Sequence, residues 1–465
     1  MAKDKTPPQE RGHHTKDTDP SWEKNLSSGS NLKRFAKISS SASGTALRWM
    51  GQQYLGLSTD QSLHASQLKN LLGDLKGPLM KAAQLLSTIP GALPDEYTQE
   101  LSELQSQAPP MGWPFVKRRM AGELGVDWMS RFTSFDRNAS AAASLGQVHQ
   151  AVHLDGSPLA IKLQYPDMQR IVSSDLKQLK LFLSLYETLN RALKTEDIFA
   201  ELKERLMEEL DYDREKAHLT LYQHIFEDDP HVCIPHVYPE LSTPRLLTMS
   251  WLEGDHLKTL KNDPQEKRNH FAQKMFMTWY RPLYKFGVIH GDPHLGNYSF
   301  TSSGKINLLD FGCVRFFDPT FIDAIINLYR ALQSQKKDEI VHAYEKWGFS
   351  NLSHDLIDAL TQWAQFLYDP LLEDRERTIN AHHKGRTGHD MAMAVHQKLN
   401  KSEGVRPPQE FLLMDRAAVG MGAVFMHLDA RINWYQLFNS LIDDFKAEEV
   451  RQRQENLRVK INILP

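Results

Sequence analysis

Cysteine is nearly missing from this sequence: Cys233 and Cys313 are the only two among 465 residues. Two thiols build no disulfide framework, and no Cys-x-x-Cys or Cys/His cluster spells a zinc site. The chain is therefore expected in a reducing compartment, with both thiols as packing residues. Long apolar runs are missing too. Ala417 to Met426, the longest, falls well short of the roughly 18 residues that cross a bilayer. A strong charge of one sign is also lacking. The 55 Lys and Arg against 58 Asp and Glu leave a net charge of −3, which gives no sign of nucleic-acid binding. The first residues include Asp4, Glu10 and Asp17, unlike a secretory signal or an acid-poor transit peptide. A cytoplasmic or peripherally bound protein is expected, with no transmembrane helix and no cleavable signal.

The length suits a bilobal protein with extensions. Residues 1–30 are rich in Pro, Gly, Ser, Lys and Asp and read as a disordered tail. From Asn31 onward, Leu32, Phe35, Ile38 and Trp49 lie among Lys33, Arg34, Lys37 and Arg48. A basic amphipathic stretch of this kind lies on an anionic membrane or docks on the rest of the protein, and docking is favoured. Between Asp60 and Thr88 a helical apolar period is interrupted at Gly77-Pro78, so a second helix begins with Pro78 in its first turn. Lys81 and Gln84 share a face of that helix. Further helices are expected over Glu96–Gln105 and Trp113–Leu124.

Strand and turn texture begins near Phe135. Residues 148–153 and 159–164 flank Leu154-Asp155-Gly156-Ser157 as a hairpin, with Lys162 on the second strand. A lysine inside an apolar strand is costly unless its charge is used, and the phosphates of a nucleotide would use it. Helices are expected at 171–193 and 197–218, the second rich in acids, one of which should pair with Lys162. Strands follow at 232–238 and 246–251. Met249 to Gly254, with Glu253, resembles an inter-lobe hinge whose backbone binds adenine. A helix over 263–286 comes next.

The densest chemistry is His290-Gly291-Asp292-Pro293-His294-Leu295-Gly296-Asn297, followed by Asp310-Phe311-Gly312. Asp and Asn five apart, then a second Asp ahead of Phe-Gly, is the spacing of a phosphoryl-transfer site. A hairpin around Ser302 to Lys305 would bring Asn297 and Asp310 to one metal-bound phosphate. One carboxylate and one amide oxygen suit Mg²⁺, which keeps waters and shares phosphate oxygens. Asp292 would then face the attacking group. Asp318-Pro319 starts another helix soon after Gly312, which leaves no room for a long activation segment, and no Ala-Pro-Glu follows. A lipidic, small-molecule or water nucleophile is favoured over a peptide. Later, Met414, Ala417, Ala418, Met421, Val424, Phe425 and Leu428 form an apolar stripe that reads as core rather than as a lipid-binding face.

Taken together, these residues resemble the UbiB family, also called aarF-domain kinases, which are atypical and protein-kinase-like. The resemblance is strong over residues 60–315. It rests on the alanine-rich loop Ala141-Ala142-Ala143-Ser144-Leu145-Gly146-Gln147, on Lys162, and on the Glu209-Leu210-Asp211 and Glu215 pattern. The His-Gly-Asp-Pro-His-Leu-Gly-Asn loop and Leu-Asp-Phe-Gly-Cys complete it. Lys81-Ala82-Ala83-Gln84 takes the place of the family's Lys-x-Gly-Gln helix, with alanine for glycine. The resemblance implies an α+β, bilobal protein-kinase-like fold, with a small β-rich N-lobe (131–255) and a helical C-lobe with a C-terminal extension (256–465). A helical extension (31–130) would lie over the active site. It implies ATP or ADP and Mg²⁺ as cofactors. Asp292, Lys162 and Glu215 would be catalytic, and Asn297 and Asp310 would hold the metal. Ala142, Ala143, Ser144, Gly146, Gln147, Lys162 and Glu253 would hold nucleotide. Lys81, Gln84, Glu209 and Asp211 would form a regulatory lid. Lipid or isoprenoid-quinone precursors, peripheral contact with an inner membrane, and quinone-biosynthesis enzymes are the implied partners in ubiquinone biosynthesis. The hydrophobic C-terminal anchor of some relatives is not expected at 456–465. The alternatives are a small-molecule kinase of aminoglycoside or choline type, or a nucleotide-switched scaffold for lipid-modifying enzymes.

Overall fold

The computed structural model describes residues 110–142, 145–189, 195–293, 295–349, 352–379 and 409–461. The expected tail, the Lys81/Gln84 helix, the helix at 96–105, Ala143 and Ser144 lie outside these residues. Helix α1 (Trp113–Leu124) forms over the expected span, with Pro114 in its first turn and Gly125 ending it at φ 91°. It buries Val116 and Met120 against an aromatic group of Trp113, Trp128, Phe132 and Phe135.

Strands β1 (Phe132–Phe135), β2 (Ala141–Ala142), β3 (Gly146–His153) and β4 (Pro158–Gln164) open the smaller lobe. The β3–β4 hairpin pairs Val148 with Lys162 and turns at Gly156, φ 89°. Residues directly opposite on paired strands share a face, so Val148 and Lys162 point together to one side. Gln147 and His149 point to the other. Helices α2 (Met168–Leu189), α3 (Thr195–Glu208) and α4 (Tyr212–Ile225) follow. The single acidic helix expected over 197–218 is two helices. Asp211 caps α4, its side chain accepting from the backbone N–H of Arg214 at 2.9 Å. Short acids compete for backbone donors in this way, and the chain breaks where one does so.

Strand β5 (Val232–Cys233) is shorter than the expected 232–238 and belongs elsewhere: it pairs in parallel with a strand of the larger lobe. Pro235 and Pro239 withhold the N–H groups that a longer strand would need. Strand β6 (Leu246–Ser250) instead completes the first sheet, whose order is β1-β3-β4-β6 with β2 alongside β3.

Beyond Ser250 the chain crosses to the helical lobe. Strand β7 (Asp255–His256), helix α5 (Gln265–Phe286), β8 (Val288–His290), β9 (Tyr298–Phe300), β10 (Ile306–Leu308) and β11 (Val314–Phe316) carry the motif region. The β9–β10 hairpin forms as expected, Leu308 opposite Tyr298, with Gly304 at φ 81° in its turn. Helix α5 ends at Gly287 in the left-handed region, φ 67°, a common helix stop. Among the described residues the remaining α-helices are α6 (Pro319–Ser334), α7 (Lys337–Lys346), α8 (His354–Tyr368), α9 (Gln409–Leu428), α10 (Trp434–Ile442) and α11 (Ala447–Ile461). Gln454 of α11 donates to the carbonyls of Gly287 (3.1 Å) and Phe317 (3.0 Å). The last helix is thereby pinned to the junction from which β8 departs.

One apolar core fills this lobe, with Trp279, Phe276, Phe425, Trp434 and Phe438 at its centre. Ala417, Met421, Val424, Phe425 and Leu428 of α9 are buried in it, so the methionine-bearing stripe is core packing. Among the described residues no helix is long and apolar enough to cross a membrane.

Candidate functional site

The site is built where β4 and α4 of the smaller lobe meet the loops that follow β8 and β10. Lys162 leaves the cleft face of β4, and its Nζ donates to Glu215 Oε1 at 2.6 Å and to Asp310 Oδ2 at 3.1 Å. Glu215 comes from α4, one turn past the Asp211 cap. Asp310 follows β10. A single ammonium thus joins a carboxylate of the smaller lobe to one of the larger. Tyr212 lies beneath it, the Nζ 5.3 Å from the ring centroid. The two carboxylates differ in state. The neighbouring Lys162 ammonium and the Gly312 N–H, 2.9 Å from Oδ1, hold Asp310 far below the usual carboxylate range. Burial pushes Glu215, which is 3 % exposed, up to about 7 against the pull of Lys162. Asp310 and Glu215 together keep Lys162 protonated well beyond its ordinary value, despite its burial.

The loop after β8 carries the other half. His290 is buried, its Nε2 2.7 Å from the carbonyl of Asp310, and its Nδ1 takes the backbone N–H of Asp292 at 3.3 Å. This ring therefore fixes the spacing between the two aspartates. Asp292 is exposed. Asn297 donates its amide N–H to the Asp292 carboxylate and carbonyl, 3.1 Å each, which leaves its amide oxygen as the atom suited to a cation. The backbone carbonyl of Asn297 accepts from Leu309 at 3.0 Å, placing it beside Asp310. Among the described residues no cluster of three or more His, Cys, Asp or Glu gathers as a preformed metal cage. One carboxylate and one amide, with phosphate and water completing the shell, is a donor set that fits Mg²⁺.

Not every expected residue faces this cleft. The Gln147 side chain turns to the opposite side of β3, taking the N–H of Met111 at 2.6 Å and lying 2.7 Å from His149 Nε2. The alternation of β3 dictates that direction, so of Gln147 only the backbone lies on the nucleotide-loop edge. Gly146 sits where a Cβ would come within 2.6 Å of the Leu163 carbonyl and 3.1 Å of the Tyr212 hydroxyl. The loop can run this close to β4 only without a side chain there. The carbonyl of Glu253 accepts from Asn307 Nδ2 at 3.0 Å, so a hydrogen bond to a base would have to share that oxygen. Asp211 is a helix cap, and Glu209 lies half-exposed in the same turn; their expected partners Lys81 and Gln84 lie outside the described residues. Ala142 lies on β2, at the edge of the loop.

Several functional neighbours were not foreseen. His218 holds the carbonyl of Phe311 through Nδ1 at 3.1 Å, and burial lowers its pKa to about 4, so the ring is neutral. Its place one turn after Glu215 on an otherwise apolar helix face was the available signal. Gly420 of α9 was missed as well. A Cβ there would lie 2.5 Å from Pro293 Cγ, so α9 abuts the residue next to Asp292. Gly420→Ala is expected to lower stability by up to about 2 kcal/mol, because the helix gains about 1 kcal/mol from alanine while the forced contact costs about 1–3 kcal/mol. Turnover should fall several-fold as Pro293 moves. A melting curve and a steady-state rate on the same sample check this, and unaltered turnover would count against the coupling.

Comparison with known proteins identifies the family and the fold. The ABC1 atypical kinase-like domain matches residues 103–344, more than half of the chain. A Saccharomyces cerevisiae protein named Atypical kinase COQ8, mitochondrial, is 27% identical over 428 residues, 90% of this chain and 82% of that protein. Atypical kinase COQ8B, mitochondrial, of Rattus norvegicus is 31% identical over 289 residues, 62% of this chain. The chain spans about half of that relative's length, 54%. Among solved structures, the complex of Rv3197 with erythromycin from Mycobacterium tuberculosis superposes with a TM-score of 0.59 at 28% identity, over 82% of this chain and 96% of that one. This chain has the α+β, bilobal kinase-like fold. The chain belongs to the ABC1 atypical kinase-like family and is an enzyme of the atypical kinase type.

Proposed function

We propose that this protein binds Mg-ATP or Mg-ADP between its lobes and transfers or hydrolyses the terminal phosphoryl group, acting on or regulated by lipidic isoprenoid-quinone precursors in support of ubiquinone biosynthesis. The observation that carries the reading is the position of Lys162 Nζ, shared between Glu215 at 2.6 Å and Asp310 at 3.1 Å. In a nucleotide complex Lys162 holds the phosphates, Glu215 steadies Lys162, and Asp310 with Asn297 holds magnesium. Magnesium supplies charge neutralisation at the phosphates. Asp292, restrained by Asn297 and His290, orients the attacking hydroxyl or water and accepts its proton.

The choice of a non-peptide acceptor rests on the chain after Gly312. Strand β11 begins at Val314 and pairs with β8, Val314 opposite His290, and α6 begins at Pro319, capped by Asp318. That stretch is tied down in a ribbon and leaves no open segment on which an extended peptide would lie. The naming of relatives as COQ8 kinases supports the link to quinone biosynthesis.

Phosphate release from ATP by the purified protein tests the proposal. Activity should require Asp292 and rise several-fold with anionic vesicles carrying a phenolic or isoprenoid quinone-precursor mimic, and a peptide library should leave it at the basal rate. Preferential phosphorylation of peptides, with no response to vesicles or mimic, would overturn it.

A further inference from the structure

Glu208, the last residue of α3, is buried at 7 % exposure and has no part in the chemistry above. Its Oε2 accepts from Arg315 NH2 at 2.5 Å, and its Oε1 lies 2.8 Å from Arg214 NH1. Arg315 is 15 % exposed and Arg214 36 %. A carboxylate buried this deeply is retained at a cost of several kcal/mol unless its partners are well placed, so its location needs a reason. The two arginines supply one. Arg214 directly precedes Glu215 on α4. Arg315 lies on β11 opposite Ile289 of β8, in the ribbon that links Asp310 to the loop bearing Asp292. Glu208 therefore joins the helix of Lys162's partner to the strand behind the metal-binding aspartate. It forms a further tie between lobes, beside those made by Lys162 and by His218 on the Phe311 carbonyl.

We propose that Glu208 is a positioning residue: by clamping Arg214 and Arg315 it sets the separation at which Lys162 and a magnesium ion on Asp310 share one nucleotide. The inference rests on the Mg-nucleotide reading of the cleft. Where a kinase has a long activation segment, arginines gather on a phosphoryl group added to it, and the site becomes ordered. Here β11 follows Gly312 almost at once, and a resident carboxylate occupies the arginine pair. The arrangement is thus set by the fold and needs no modification. The Arg315 guanidinium suits this task better than an ammonium, because its second donor, NH1, reaches the Val314 carbonyl at 3.1 Å and so fixes the direction of the NH2 that holds Glu208.

A magnesium titration of nucleotide binding to the full chain, read with a fluorescent ADP analogue, tests the proposal alongside the melting temperature of the nucleotide-free protein. In Glu208→Gln the magnesium concentration at half-saturation should rise by about 10-fold or more, as for the loss of a group that orients a metal ligand. Affinity for the analogue without metal should stay within about twofold, since Lys162 is untouched. A purely structural ion pair would lower the melting temperature and leave the magnesium midpoint in place; that result overturns the inference. Should Glu208→Gln fail to fold, Arg315→Lys decides, because it keeps the charge and removes the fork. A raised magnesium midpoint supports the proposal and an unchanged one refutes it. Wild-type protein that binds the analogue equally with and without magnesium would instead sink the nucleotide reading beneath it.

Discussion

Mg-ADP or Mg-ATP is expected to stabilise the wild-type protein against heat, and Asp310→Asn is expected to abolish that stabilisation. Both carboxylate oxygens of Asp310 receive donors: Gly312 N–H reaches Oδ1 at 2.9 Å and Lys162 Nζ reaches Oδ2 at 3.1 Å. An asparagine offers one oxygen and one NH₂, so one of those donors must face another donor. The substitution also removes the negative charge that a hard cation requires. A ligand at 100 times its dissociation constant stabilises by about 2.7 kcal/mol, and a 100-fold loss of affinity reduces that to about 0.4 kcal/mol at the same concentration. The expected shift therefore drops from several degrees to about one or less. Binding of ADP without metal should persist through Lys162, which keeps Glu215 as partner. Thermal shift with and without magnesium measures both; a full Mg-dependent shift in the variant would remove Asp310 from the metal site.

What could be read in advance was local. The β3–β4 and β9–β10 hairpins were legible because strand alternation and turn residues lie within a dozen positions. Asn297, Leu309 and Asp310 come together through the second hairpin alone. Helix α1 was legible from Pro114 and Gly125 at its ends. What was not legible depended on phase or on distant partners. Gln147 lies one residue from Val148, and that single step on a strand moves a side chain from the cleft to the opposite face. Strand β5 joins the larger lobe by pairing Val232 with Ile306, a choice no local pattern records. The break before α4 was hidden in a run of acids because Asp211 serves as a cap there rather than as a helical residue. Glu208 and Arg315 are 107 positions apart, and nothing near either one names the other. In the same way nothing in the sequence around Gly420 names Pro293, 127 positions earlier, as its neighbour.

The Lys162 bridge also predicts a pH signature that isolates Glu215. Its pKa stands at about 7 in the folded protein against 4.5 for the free side chain, so the fold holds this proton more tightly than the unfolded chain does. The corresponding stability is fully present below pH 4.5 and is lost as pH rises through about 7. At about 1.4 kcal/mol per pKa unit the loss is about 3 kcal/mol. His218 works in the opposite sense nearby. Its pKa is depressed from 6.5 to about 4, so its stability is present above pH 6.5 and is lost as pH falls toward 4. The two contributions offset each other over much of pH 4.5–6.5, and the wild-type protein alone should show little slope there. The difference between variants should not cancel. Glu215→Gln removes one contribution and leaves His218, so relative to wild type it should gain about 3 kcal/mol between pH 4.5 and 7. Asp310, whose pKa is depressed, titrates below that window and does not disturb the comparison. Denaturant midpoints of both proteins, taken at half-unit steps of pH without nucleotide, give this difference directly. A flat difference would mean that Glu215 is already ionised at pH 5, held so by Lys162, and that the bridge is a fully charged triad at every pH at which the enzyme works.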